Sequence, residues 1–283
     1  MTADVRGVCL TLAYDGTEFT GWQQQPGQRT VQSTLEEAIE SMAGHPVRAR
    51  GASRTDAGVH ATGQLVGFDT ERDVSPLGWL RGLNGVLPLD VAVRAVEICE
   101  AGYNPRRDAA GKHYRYLLQT GEARDPLLRH RAWHLGPREV PRREGTHRDD
   151  DARQWLDFAA VEQAIELMCG THDFRAFRAS DDTREHTVRT LSAIDLITPY
   201  EGSAGLLAVD VHGDAFLKNM VRIMVGTLVE VGRGRFGLDH VAALFGDTAD
   251  RRNAGPTAPP QGLTLISVLR RSRGAVDRAA EDR

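Results

Sequence analysis

The sequence predicts an α+β fold built on a mostly antiparallel sheet. Apolar residues recur with a period of two in several stretches and at helical spacing in others. Over roughly the first hundred residues these stretches run strand, helix, strand, strand, helix, strand. A similar alternation fills the second half, with no repeat at the level of residue identity. Strands that follow one another without a helix between them pair antiparallel, which sets the fold class.

The elements follow in order. Val8, Leu10, Leu12 and Tyr14 alternate with Cys9, Thr11 and Ala13, a strand with one buried face, and Asp15-Gly16-Thr17 turns the chain. Thr30 caps a helix along which Val31, Leu35, Ile39 and Met42 share one face, ended by Gly44-His45-Pro46. Short strands follow around Val47–Ala52 and Gln64–Phe68, then a helix over Leu77–Val86 closed by Leu87-Pro88, then a strand over Val91–Ile98. In the second half, strands are expected at His113–Gln119, Val188–Ile197, Leu206–His212 and Leu263–Leu269. Helices are expected at Phe158–Met168, Phe216–Val231 and Leu238–Phe245.

Composition narrows the class of protein. With 283 residues, 41% hydrophobic and 26% charged, the chain reads as one large or two modest globular domains. No apolar run approaches a membrane span, and the start Met1-Thr2-Ala3-Asp4-Val5-Arg6 lacks the pattern of an export signal, so a cytoplasmic location is expected. Cys9, Cys99 and Cys169 are scattered with no CxxC pair, which argues against a disulfide framework and a structural zinc site. Net charge is −4, but it is segregated. Residues 1–101 hold eight Lys+Arg against thirteen Asp+Glu, whereas residues 102–138 hold eight against three. The second segment is a candidate phosphate-binding surface or simply a solvated face. Gly232-Arg233-Gly234-Arg235-Phe236-Gly237 reads either as a basic loop open to an anionic partner or as a helix end followed by its glycine turn.

The chemistry concentrates in Gly51-Ala52-Ser53-Arg54-Thr55-Asp56-Ala57-Gly58-Val59-His60-Ala61-Thr62-Gly63-Gln64. Arg, Asp, His and Gln crowd there between two strands, among glycines that permit tight backbone paths. If Arg54 to Asp56 is extended, both side chains leave on one face, and an arginine beside the carboxylate favours its ionised form. An ionised aspartate serves as base or nucleophile. The same segment reads equally as a strand–turn–strand with an Arg–Asp pair on its surface. His60 reads as a histidine hydrogen-bonded in a structural role.

Arg54-Thr55-Asp56-Ala57-Gly58-Val59-His60-Ala61 closely resembles the active-site signature of the TruA family of tRNA pseudouridine synthases. Further blocks occur in family order: Tyr14-Asp15-Gly16-Thr17 with Gly21-Trp22-Gln23, Leu83-Asn84 with Leu87-Pro88, Lys112-His113-Tyr114-Arg115-Tyr116, and Gly170-Thr171-His172-Asp173-Phe174. Phe216-Leu217 with Met220-Val221-Arg222, and Ala254-Gly255-Pro256-Thr257-Ala258-Pro259-Pro260 with Gly262-Leu263, complete the series. The resemblance implies an isomerase that converts uridine to pseudouridine at positions 38, 39 and 40 of the tRNA anticodon arm. It makes Asp56 the catalytic aspartate, Arg222 its basic partner and Tyr114 the aromatic that stacks on the target base. Arg54 lies near the flipped nucleotide, Leu263 packs near the base, and Lys112 and Arg115 join the substrate-binding set. The implied fold is two ferredoxin-like α/β domains sharing an extended sheet with a central active-site cleft, in a homodimer.

The chain is accordingly divided into residues 1–107, carrying the aspartate loop, and residues 108–273, with a charged insertion at 137–153 and a disordered tail at 274–283. The reaction exchanges an N1–C1′ bond for a C5–C1′ bond with no net redox change, so no cofactor and no metal is expected. Extruding the base costs a few kcal/mol, and stacking on an aromatic returns about 1–3 kcal/mol. Without the resemblance, Tyr114 reads as a core tyrosine, and Arg222 as either a solvent-facing or a partly buried arginine. Several positions depart from the family: Arg107 stands where an aromatic is usual, Lys218-Asn219 where Arg/His-His is common, Thr264 for tyrosine and Leu83 for phenylalanine. Two rival readings remain, a non-catalytic structured-RNA-binding protein on the same scaffold and a hydrolase using Asp56 with His60 or His45. No triad order supports the hydrolase.

Overall fold

The computed structural model describes residues 5–136, 152 and 155–271. The expected insertion at 137–153 lies outside the described residues except for Ala152, and the expected tail at 274–283 lies wholly outside them. The chain divides into two compact units, Met1–Lys112 with Leu265–Arg283, and His113–Thr264. The sequence predicts a boundary after residue 107 and a last strand that stays in the second domain. The structure returns that strand to the first unit, where the Thr62 hydroxyl donates to the Ile266 carbonyl at 3.3 Å.

The first unit follows the expected strand and helix order. It runs β1 (Arg6–Tyr14), α1 (Val31–Ala43), β2 (Arg50–Gly51), β3 (His60–Thr70), α2 (Pro76–Val86), β4 (Val91–Cys99) and the short α3 (Pro105–Asp108). In the sheet β4, β1, β3 and the returning β10 (Leu263–Arg270) lie in that order, and β2 pairs with the far end of β3. β1 is antiparallel to both β3 and β4. That central place explains why Val8, Cys9 and Leu10 are all buried, where alternation predicts one buried face. Thr30 and Ser33 form a capping box for α1, and Gly44, at φ 76°, ends it in the left-handed region. Ser75 and Pro76 start α2. The core gathers Leu10, Leu35, Ile39, Phe68, Trp79 and Leu83, with the Phe68 and Trp79 rings edge to face at 5.3 Å.

The second unit carries β5 (Ala109–Thr120, whose first residues belong to the first unit), β6 (Trp133–Leu135), α4 (Phe158–Met168), β7 (Gly170–Asp173), β8 (Val188–Ile197) and β9 (Leu206–Gly213), then α5 (Met220–Gly232) and α6 (Leu238–Ala243). Its strands lie in the order β5, β9, β8, β7. β7–β8 and β8–β9 are antiparallel, and β6 runs parallel to β5. α5 is buried at every position except Arg222, as an apolar stripe continued around a helix requires. The helix expected from Phe216 begins only at Met220, because Asn219 sits at φ 61° and breaks the helical path. Among the described residues no helix is long and apolar enough to cross a membrane.

Candidate active site

Asp56 lies on the loop between β2 and β3. Ser53, Thr55 and Val59 of that loop are buried, whereas Arg54 is exposed and Asp56 half-buried. This in–out alternation is what an extended Arg54–Asp56 produces. The loop is held from three sides. The Thr55 hydroxyl hydrogen-bonds the Tyr14 hydroxyl at 2.8 Å, and the Thr55 carbonyl accepts the Trp22 N–H at 3.0 Å. The Gln64 amide donates to the Ser53 carbonyl at 2.6 Å and accepts the Ser53 N–H at 3.1 Å. Gly21 runs close beneath at φ 92°, and a Cβ there would lie 2.8 Å from the Thr55 carbonyl oxygen. Gly16 is tighter, since a Cβ would lie 2.0 Å from the Val59 carbonyl oxygen.

His60 is 1% exposed. Its Nδ1 lies 3.0 Å from the Gly16 nitrogen and 3.2 Å from Asp15 Oδ1, the structural setting expected of it. Asp15 also accepts from the Thr17 N–H and hydroxyl. The Asp15-Gly16-Thr17 turn therefore buttresses the end of the Asp56 loop.

In the second unit Tyr114 is 6% exposed, its ring edge to face with Phe216 at 5.0 Å. Tyr116, two residues on and facing the same way, donates its hydroxyl to the Pro259 carbonyl at 2.7 Å. Burial holds the Tyr116 phenol well above its ordinary pKa, so it remains a donor. Arg222 occupies the first turn of α5. Its Nε donates to the Ala258 carbonyl at 2.7 Å and its Nη1 to Asn219 Oδ1 at 2.8 Å. The Ala258 N–H in turn donates to the Arg222 carbonyl at 3.1 Å. The segment bearing Ala258 presses against the helix so closely that a Cβ on Gly226 would lie 1.8 Å from the Pro256 oxygen. Leu263, buried, follows that segment.

Lys112, half-buried, is the last residue of the first unit before the boundary within β5. Arg115 is engaged inside the second unit. Its Nε and Nη2 reach Asp210 Oδ1 and Oδ2, both at 2.6 Å, and its Nη1 donates to the Tyr200 hydroxyl at 2.8 Å. His113 Nε2 lies 3.0 Å from the same Asp210 and its ring stacks on His212 at 4.0 Å. His113, Asp210 and His212 have metal-ligand chemistry and lie close together. A cation there would have to displace a guanidinium that already holds both carboxylate oxygens, so the cluster is an ion-pair network. Burial pushes Asp210 up, but the Arg115 hydrogen bonds and charge prevail and hold it below the usual carboxylate range. Burial depresses His113, against the opposing pull of Asp210.

Tyr14, Thr55, Asn219 and Ala258 are supports that the sequence alone does not single out. Asn219 is visible there only as a departure from the family pattern. The other three lie inside recognised blocks without a signal of their own.

A profile of the family described as tRNA pseudouridine synthase matches residues 11–103 and 164–269. The chain belongs to the tRNA pseudouridine synthase family. Among its relatives, the tRNA pseudouridine synthase A of Geobacter sulfurreducens is 43% identical over 264 residues, 93% of this chain and 99% of that protein. The protein of the same name from Geobacter sp. strain M21 is 43% identical over 266 residues, 93% of this chain and 98% of its own length. That from Myxococcus xanthus is 43% identical over 264 residues, 93% of this chain and 91% of its own length. Membership makes the chain an isomerase of the pseudouridine synthase kind.

Proposed function

We propose that the chain converts uridine to pseudouridine at positions 38, 39 and 40 of the tRNA anticodon arm, with Asp56 as the catalytic carboxylate. The observation that carries this reading is Asp56 itself, half-buried on the loop between β2 and β3 beside Thr55 and Ser53, which are buried and hydrogen-bonded to Tyr14 of β1 and Gln64 of β3. Isomerisation breaks N1–C1′, turns the uracil and joins C5 to C1′; C5 gives up its proton to water and N1 takes one up from water, so no atom is gained or lost overall. The work asked of the protein is to present one anionic oxygen, hold the detached ring and stabilise an extruded nucleotide. Tyr114 is assigned the stacking surface for the extruded base, Arg222 the role of basic partner to the aspartate, and Leu263 an apolar contact to the ring. Arg54, exposed beside Asp56, is assigned to the nucleotide backbone, with Lys112 among the RNA contacts. Arg115 is left out, since Asp210 and Tyr200 occupy its guanidinium. These roles rest on the match of each residue to its motif. A cytoplasmic homodimer completes the proposal, carried by the family resemblance and checked by sedimentation equilibrium.

Release of tritium from tRNA labelled at uridine C5 tests the reading. Asp56→Asn is expected to abolish release while tRNA affinity stays within a few-fold of the parent. Measurable turnover by purified Asp56→Ala would falsify the assignment. If the parent binds tRNA but releases no tritium, the non-catalytic RNA-binding reading takes its place.

A further inference from the structure

We infer that Asn219 is a positioning residue for Arg222, an inference that rests on the reading of Arg222 as part of the reaction site. Asn219 stands at the N-cap of α5 with φ 61° and ψ 4°. An asparagine at an N-cap ordinarily has extended backbone and accepts an N–H from the first turn. Here the backbone is left-handed and the side chain makes no capping bond. Glycine would adopt this conformation at lower cost, so backbone geometry alone does not call for asparagine. What glycine lacks is the amide oxygen, which accepts Arg222 Nη1 at 2.8 Å.

The consequence is a guanidinium held by two acceptors, one on the segment bearing Ala258 and one at the head of its own helix. Ala258 holds Nε and Asn219 holds Nη1. Two of the five N–H donors of the arginine are thereby committed and its plane is set. Asn219 is itself anchored. The Lys218 N–H donates to Asp182 Oδ2 at 3.2 Å, and the Lys218 carbonyl accepts the Ala179 N–H at 3.0 Å. The Asn219 carbonyl accepts the Ile223 N–H at 2.9 Å and opens the helix. Arg222 is the one residue of α5 that is not buried, so this fixed guanidinium is the only side chain the helix presents outside the packed interior. An arginine oriented before the substrate arrives needs no reorganisation during the reaction, and misplacement by about 1 Å costs on the order of a hundredfold in rate.

The test uses Asn219→Gly, Asn219→Asp and Arg222→Ala in the full chain, read by single-turnover tritium release and by tRNA affinity. Asn219→Gly accepts the left-handed backbone and removes only the acceptor. It is expected to lower the single-turnover rate about 10- to 100-fold, with the dissociation constant for tRNA within about twofold and the thermal midpoint retained. Asn219→Asp restores an oxygen acceptor and is expected to recover most of that loss, which a purely structural role would not produce. Parental turnover by Asn219→Gly overturns the inference, and so does an equal loss in the Gly and Asp variants. Full turnover by Arg222→Ala removes the reading of Arg222 itself, a failure distinct from that of Asn219.

Discussion

Replacing Gly226 with alanine sets two effects of opposite sign against each other. Alanine in a helix interior is favoured over glycine by about 0.8–1.0 kcal/mol. At this position, however, the new Cβ would lie 1.8 Å from the Pro256 carbonyl oxygen, where ordinary contact begins near 3.4 Å. Helix and strap must therefore part by about 1.6 Å, and both partners are backbone. Three hydrogen bonds join them there: Gly255 N–H to the Thr227 hydroxyl at 2.9 Å, Ala258 N–H to the Arg222 carbonyl at 3.1 Å, and Arg222 Nε to the Ala258 carbonyl at 2.7 Å. Two neutral bonds at about 1 kcal/mol and one charged bond at about 1.5–3 kcal/mol are at risk. The balance is a destabilisation of about 2.5–4 kcal/mol. For a chain of this size that is a fall in Tm of roughly 5–15 °C. Because the strap also holds Arg222, tritium release is expected to fall in the same variant at temperatures where it remains folded. Differential scanning fluorimetry of parent and variant decides the matter. A Tm equal to or above the parent's refutes the steric argument.

Thr55→Val removes the buried hydroxyl that hydrogen-bonds the Tyr14 hydroxyl; a loss of about 0.5–1.5 kcal/mol in urea unfolding is expected. The Thr55→Val/Tyr14→Phe double variant should cost less than the sum of the singles, and strict additivity would show that the hydroxyls do not interact. Asp210 and His113 both have depressed pKa values in the folded state. Each contributes stability that is present above its unfolded pKa and lost as pH falls through its folded value. Thermal stability should thus decline on acidification, first below 6.5, the ordinary histidine value, and further in the carboxylate range, with the first part flattened in His113→Phe. A melt unchanged between neutral and strongly acidic buffer contradicts this. Arg54→Ala is expected to weaken tRNA binding and to reduce the salt slope of log K by about 1; an unchanged slope would place Arg54 away from phosphate.

The elements legible in the sequence are those whose signals are local. α4 matches its predicted bounds, and α1 is announced by Thr30 and Gly44. The start of α5 is hidden, because Phe216 continues the helical spacing of Met220, Ile223 and Met224 while the left-handed turn at Asn219 leaves no mark in hydrophobic periodicity. β2 shrinks from the expected Val47–Ala52 to two residues, and β6 and β7 are too short for a periodic signal. At the candidate site, the density of Arg, Asp and His among glycines draws attention to the Asp56 loop but reads equally as a surface turn, and it is the family resemblance that singles out the aspartate. The fate of the arginines is not legible there. Arg115 finds Asp210 ninety-five positions away, a pairing that only the adjacency of β5 and β9 creates. Arg233 and Arg235, candidates for an RNA-contacting loop, both pair with Glu230 at the end of α5.

The return of β10 to the first unit has a consequence for synthesis. β10 borders β3 near Gly63, yet the ribosome makes the whole of His113–Thr264 between the first unit's other strands and this one. At roughly 5–20 residues per second, that edge waits about 8–30 s for its neighbour. During that interval a nascent chain displays unpaired peptide groups beside the Asp56 loop, a template for pairing with another chain. The closing strand is therefore a last-arriving clasp, and truncations or stalls just short of Leu263 should yield aggregates in place of a half-finished enzyme.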